Sequence, residues 1–204
     1  MPKLKIAQVG CGGMGMRHLH GLKELSQTPF CNVELVAVAD GNPEGLIKAG
    51  DRLGVSHLYD DYRKMLATEK PDLVSITPGW VSERVQMIET AASVGSHIYC
   101  EKPVAGSLAE IDTIVNACSR GNIKMAIAHQ WRAMPPIQQA IADVMSGKFG
   151  KLLRIWARPK DDSRGGGEEL LLHGTHLFDL MMAFTNIPRW VSGHVLQNGR
   201  DSTQ

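Results

Sequence analysis

Short apolar, β-branched runs alternate with amphipathic stretches through the first 130 residues, and this alternation restricts the fold more than any other feature of the chain. The runs are LKIAQVG (4–10), VELVAVAD (33–40), LVSITP (73–78), HIYCEK (97–102) and KMAIAHQ (124–130). They are nearly continuous in apolar residues, as strands covered by helices on both faces must be. Between them lie MGMRHLHGLKEL (14–25), PEGLIKAGDRLG (43–54), DYRKMLAT (61–68), VSERVQMIETAASVG (81–95) and SLAEIDTIVNACSRG (107–121). Several close on a glycine suited to a helix C-terminus. Repeated βαβ units and a doubly wound parallel sheet are the expected fold.

The rhythm changes after about residue 124. PPIQQAIADVMSGKFG (135–150) reads as a helix opened by prolines, and KLLRIWARP (151–159) as a strand. A glycine cluster at 165–167 follows, then a helix over LLLHGTHLFDL (170–180), then RWVSGHVLQ (189–197) as another strand. The expected division is a first domain over 1–124 and a second, incomplete one over 125–204.

A formal net charge of +1 offers no electrostatic footprint for a polyphosphate backbone, so nucleic acid is not an expected partner. The amino terminus enters a strand at once, without a signal peptide's charged and apolar regions, and no window could span a bilayer. Cys11, Cys31, Cys100 and Cys118 show no C-x-x-C pairing. Such usage fits reduced thiols in the cytoplasm better than a disulfide framework or zinc knuckle.

VGCGGMG places Gly10, Gly12 and Gly15 in G-x-G-x-x-G spacing, leaving a strand and opening a helix. The first glycine permits the tight turn, the second a close approach of a pyrophosphate, and the third close helix–strand packing, with the helix N-terminus supplying free N–H groups. The next strand ends in Asp40, where a carboxylate can accept hydrogen bonds from an adenosine ribose. Its distance from the glycines exceeds the usual twenty or so residues because SQTPFCN lengthens the intervening loop. Gly41 and Asn42 follow it, with no arginine to offset a 2′-phosphate, so NAD is expected in preference to NADP. A plain strand-to-helix turn with a solvated Asp40 is the alternative.

Glu101, Lys102 and Pro103 fall at the carboxyl end of a strand, where open α/β sheets gather ligands. A partly desolvated lysine beside a cofactor cation could exchange a proton with a substrate hydroxyl. From these three residues alone, a surface lysine in a turn is the plainer reading.

Taken together, GCGGMG, Ala39-Asp40, SITP, CEKP and GGG…HGTHLFDL resemble the Gfo/Idh/MocA family of NAD(P)-dependent oxidoreductases, over nearly the whole chain. The resemblance implies a Rossmann domain followed by an α+β domain with a mostly antiparallel sheet, here incomplete, and action on sugars, cyclitols and related polyols. It implies that Gly10, Gly12, Gly13, Met14 and Gly15 meet the cofactor's pyrophosphate region, that Thr77, Pro78, Glu101 and Lys102 line its cleft, and that Lys102 is catalytic. Trp131 and Arg132, in HQWR, become candidates for substrate contact. Family members often form homo-oligomers, which is expected here too.

The family's Asp-x-Gly-x-His pattern is met by Gly174 and His176, but Leu172 stands in the place of the aspartate. In a regular helix, positions 172, 176 and 179 share one face. His176 is a candidate catalytic residue that shares the substrate's proton with Lys102 and contacts the substrate, His173 a candidate substrate contact at the same rim, and Asp179 a candidate for orienting His176; the other reading is a hydrogen-bonded core histidine. His173 and His176 lack the i, i+4 spacing of a zinc helix, and no metal is expected. A Ser-His-Asp triad has no nucleophile elbow to support it. The HLH at 18–20 falls on the first helix, where His18 can border the cofactor cleft.

The expected function is hydride transfer between a polyol or sugar and NAD. Two rivals stand beside it: a nucleotide-binding sensor or impaired relative without turnover, and a glycoside-cleaving enzyme that uses NAD without net redox change.

Overall fold

A computed structural model describes residues 3–79, 81–158, 170–194, 196–197 and 199–201. These fall into two compact units, residues 1–128 and 129–204.

The first unit is a six-stranded sheet built from β1 (Leu4–Val9), β2 (Val33–Ala39), β3 (His57–Tyr59), β4 (Leu73–Ile76), β5 (His97–Cys100) and β6 (Met125–Ile127). All pairings are parallel, in the order β3-β2-β1-β4-β5-β6. This is the doubly wound Rossmann arrangement, whose crevice opens at the carboxyl ends of β1 and β4, where the winding reverses. β3 is a strand that apolar patterning does not announce: three residues at the sheet edge, two of them exposed.

Helices α1 (Gly13–Ser26) and α2 (Pro43–Leu53) cover one face, where Leu19, Ala49 and Leu53 pack with Cys11 and Val38. Helices α3 (Tyr62–Glu69), α4 (Arg84–Ser93) and α5 (Leu108–Arg120) cover the other. There Met65, Leu66, Ile88 and Ile114 meet Ala7, Val74, Ile76 and Ile98. Each fully buried aliphatic side chain of this kind contributes about 1.5–3 kcal/mol relative to exposure, which is why the strands carry so few polar residues. Helices α2, α3 and α5 start where a side chain satisfies their free amides: Asn42 accepts from the Glu44 amide, Asp61 from the Arg63 amide, and Ser107 forms a capping box with Glu110. Helix α1 has no such cap, and no acidic residue stands in its first turn.

The second unit contains a 3₁₀ turn (Gln130–Ala133), α6 (Pro135–Met145), a π-helical turn (Leu170–Gly174), α7 (Thr175–Thr185) and a two-stranded antiparallel ribbon, β7 (Leu196–Gln197) with β8 (Arg200–Asp201). Two expectations are corrected here. Residues 151–158 form no strand, and of the described residues within 189–197 only the last two pair. A strand exists only where a neighbour takes its N–H and C=O groups, and alternating apolar residues do not supply that neighbour. The helix expected over 170–180 opens as a π turn, so Leu172 does not keep regular α-helical phase with His176 and Asp179. The glycine cluster at 165–167 lies outside the described residues.

Candidate cofactor cleft and a histidine cluster

Register assembles the first site. Val9 pairs with both Ala39 and Ile76, and Ile76 with Cys100. The next residue on each strand therefore falls into one row at the sheet's crest: Asp40, Gly10, Thr77 and Glu101. The ladder continues through that row, with Gly10 N donating to Ala39 O at 2.8 Å, Thr77 N to Val9 O at 2.9 Å and Glu101 N to Ile76 O at 2.9 Å.

The glycine loop is held from below. Gln8, fully buried within β1, donates from Nε2 to the carbonyls of Gly10 and Gly15 at 2.7 and 2.8 Å. The Thr77 hydroxyl lies 2.9 Å from Val9 O and 3.0 Å from Gly10 O. Gly10 has φ +97°, the left-handed region that glycine tolerates and a bulkier residue resists. A Cβ on Gly15 would collide with the Gly10 carbonyl and come within 2.8 Å of Thr77 Oγ1. Gly12 and Gly13 differ: a Cβ at either meets nothing within 4 Å. Two glycines are thus demanded by the protein's own packing, while two leave open space directly before the uncapped amides of α1.

That space suits a diphosphate, whose oxygens can take the free N–H groups and the positive end of the helix dipole. Asp40 borders it. One carboxylate oxygen accepts from the Cys11 amide at 2.5 Å and the other from the Asn42 amide at 2.8 Å, fixing the carboxylate at the end of β2. Cys11 is no nucleophile, because burial, reinforced by the charge of Asp40, pushes its thiol up to about 12.

At the other end of the row, Lys102 is half-buried and precedes a cis proline bond. The Glu101 carboxylate is 5% exposed. It meets His18 Nε2 at 3.0 Å and accepts from the Lys102 amide at 3.1 Å, while His18 Nδ1 lies 3.0 Å from Ser75 Oγ. His18 therefore ties α1 to the ends of β4 and β5. Burial raises the Glu101 carboxyl's proton affinity, but the hydrogen bond and charge of His18, helped by Lys102, outweigh it and hold the pKa below the usual carboxylate range.

A depressed carboxyl pKa contributes stability that is fully present above the unfolded value of about 4.3 and lost as pH falls through the lower folded value. Glu101→Gln should cost about 1–3 kcal/mol at pH 7, the penalty of an imperfectly replaced buried charged partner. Urea unfolding at pH 7 and pH 3 checks this: the gap to wild type closes in acid, whereas a constant gap would show that the charge is not responsible.

One residue here escaped sequence reasoning. Arg84, the first residue of α4, is 1% exposed; it donates from one terminal nitrogen to Glu101 O at 2.9 Å and to Pro103 O, and from the other to Pro78 O. An arginine opening an otherwise ordinary amphipathic helix gives no hint of this in the sequence.

In the second unit, His176 is buried at the start of α7, with Trp131 stacked on its ring at 4.9 Å and His129 edge-on at 5.5 Å. Trp131 remains 37% exposed. His173 is half-buried in the π turn. Asp179, expected as an orienting acid for His176, is engaged by Arg132. Its carboxylate forms a two-pronged pair with Arg132, Nε to Oδ2 at 3.0 Å and Nη2 to Oδ1 at 2.7 Å, and Nη2 also donates to the Asp179 carbonyl. Arg132, expected as a substrate contact, thus spends part of its fork on binding the 3₁₀ turn to α7.

Comparison with known proteins matches residues 4–129 to the Gfo/Idh/MocA oxidoreductase family with an NAD-binding Rossmann fold. D-apiose dehydrogenase of Paraburkholderia graminis is 32% identical over 156 residues, covering 76% of this chain and 40% of that protein. Myo-inositol 2-dehydrogenase of Thermotoga maritima is 24% identical over 184 residues, covering 87% and 53%. The crystal structure of scyllo-inositol dehydrogenase from Lactobacillus casei with NAD(H) and scyllo-inositol superposes with a TM-score of 0.80 at 23% identity, over 90% of this chain and 56% of that one. The chain spans about half the length of the relatives it matches. With the glycine loop, the six-stranded order and the Glu-Lys-Pro turn in register at one crest, the chain belongs to the Gfo/Idh/MocA oxidoreductase family, and its first unit is that family's NAD-binding Rossmann domain.

Proposed function

We propose that this chain carries the cofactor half and part of the substrate half of an NAD-dependent oxidoreductase acting on the CH–OH group of a sugar, cyclitol or related polyol. The observation that carries this is the crest row: open space at Gly12 and Gly13 before the amides of α1, a fixed carboxylate at Asp40, and Lys102 at the far end of the same line. Relatives named for apiose and inositol support the substrate class.

When bound, the nicotinamide supplies the hydride acceptor. The chain's own residues bind, orient and move protons. Gly12, Gly13, Met14 and Gly15 present the amides of α1 to the diphosphate. Asp40 takes the ribose hydroxyls and disfavours a 2′-phosphate, giving NAD preference over NADP. Thr77 and Pro78 wall the cleft, and Glu101 anchors it through His18. Lys102 and His176 handle the proton of the substrate hydroxyl, with Trp131, Arg132 and His173 as substrate contacts; Arg132 also holds the turn that carries Trp131. The unpaired cysteines fit a reducing, cytoplasmic setting, and exposed Trp156, Trp190 and Val191 in the second unit fit self-association into a homo-oligomer.

NADH absorbance followed across a panel of inositols, pentoses and hexoses tests the reading. Accumulation with at least one member is expected. Tight NAD binding with no NADH from any member would favour a nucleotide-binding protein without turnover, for which Leu172 at the family's aspartate position is the supporting observation. Cleaved glycoside without accumulated NADH would favour transient oxidation instead.

A further inference from the structure

We infer that Arg84 is a positioning residue that holds Lys102 in place, an inference that rests on Lys102 being the group that handles the substrate's proton. Arg84 is an expensive residue where it stands. Its guanidinium is buried at the first position of α4, where the helix dipole presents its positive end. The acid nearest in sequence to its partners, Glu101, turns its carboxylate to His18 and the Lys102 amide. The guanidinium is instead solvated by carbonyl oxygens. Burial lowers its pKa from the ordinary arginine value, with the negative potential of Glu101 among the influences opposing that fall. A well-packed apolar side chain would serve stability at least as well as a buried cation.

What an apolar side chain could not do is join the two loops that flank the crest. Nη2 grips Pro78 O in the loop after β4, and Nη1 grips Glu101 O and Pro103 O in the loop after β5. The two carbonyls held by Nη1 bracket Lys102, whose own amide is held by the Glu101 carboxylate. The Lys102 backbone is thereby restrained on both sides. Only a planar fork with fixed, divergent donors reaches all three acceptors together; an ammonium is a point charge on a flexible stem. Departures from a sequence's local preferences are concentrated where function requires them, and a buried cation at a helix N-terminus is such a departure.

The test compares wild type, Arg84→Lys and Arg84→Met, each alone and in a Lys102→Ala background. Hydrogen exchange of the peptide covering 101–106 is read against that of β1 and β2. Turnover is read against NAD affinity. Expected is a rise in exchange at 101–106 of about tenfold or more with β1 and β2 unchanged, and a fall in kcat of about 10–100-fold, the cost of a misplaced reacting group. NAD affinity holds, and no further loss appears when Lys102 is already alanine. Should Arg84→Met fail to fold, Arg84→Lys carries the comparison. Unchanged exchange at 101–106 in Arg84→Lys, or an equal fall in kcat in the Lys102→Ala background, overturns the inference. If wild type turns over nothing, the oxidoreductase reading fails separately, and exchange alone decides whether Arg84 clamps the loop.

Discussion

Lys102→Ala should lower turnover by about 10²–10⁴-fold, the usual contribution of a positioned general acid–base group, and leave NAD affinity nearly intact. The separation of the two effects follows from the row at the crest. The proposed diphosphate end lies at Gly10 to Gly15 and Asp40, and the loop at 101–103 is held by Arg84 and Glu101, so truncating the lysine should remove the proposed proton carrier without dismantling the cleft. Lys102→Arg sharpens the experiment. Arginine keeps the positive charge but cannot release its proton at any working pH. If Lys102 acts by proton transfer, the arginine variant should be as impaired as alanine; if it only supplies charge to substrate or cofactor, arginine should restore much of the rate. Steady-state kcat with calorimetric NAD affinity for the three proteins decides between them.

The second large effect divides the glycine loop into two kinds of glycine. Gly15→Ala should cost more than the roughly 1–3 kcal/mol typical of overpacking, because the obstructing group is the Gly10 carbonyl, a backbone atom that cannot rotate away, with Thr77 Oγ1 behind it. The expected result is a protein recovered mostly unfolded, or one that melts many degrees lower. Gly12→Ala should do the reverse. Gly12 has φ −68° and ψ −170°, an extended conformation open to any residue, and its Cβ would meet nothing within 4 Å. Its stability should stay within about 1 kcal/mol of wild type, and a slight gain is expected from the reduced freedom of the unfolded chain. NAD affinity should nevertheless fall at least about tenfold, since the added methyl occupies the approach of the diphosphate to the helix amides. Thermal melts with and without NAD separate the two. Equal stability losses at 12 and 15 would show that both glycines serve packing alone.

The parallel sheet was legible because strands buried by helices must be written in apolar residues, as β1, β2, β4 and β5 are, and because the edge strand β6 is apolar although largely exposed. β3 was not, because three residues at an edge, HLY, need no such writing. The reverse failure occurs at 151–158, where KLLRIWAR has the composition of a strand and forms none; strand propensity reports a fit to neighbours, which a linear pattern does not contain. The π turn at 170–174 likewise breaks a phase argument that assumed 3.6 residues per turn. Gly10, Gly15, Asp40 and Lys102 could be placed at the crest because strand ends and glycine spacing are written along the chain. Gln8, His18 and Arg84 act through partners 2 to 83 positions distant, meeting carbonyls and carboxylates that converge only once the sheet has closed. Two hints were visible: a glutamine in the middle of LKIAQVG, a polar group whose burial demands a partner, and His18 on the helix that opens at the cleft. Asp179 shows the same limit from the other side: its place near His176 in sequence suggested an orienting acid, and its Arg132 partner, 47 positions away, was not visible there.

The central claim is that a nicotinamide dinucleotide seats its diphosphate on the amides that open α1. Calorimetric titration of the purified chain with NAD and NADP, repeated with Gly12→Ala, tests it most directly. Saturable one-to-one binding, stronger for NAD and weakened in a stable Gly12→Ala protein, is the predicted result. A folded wild-type chain that gives no binding heat and no thermal shift with either dinucleotide would contradict it.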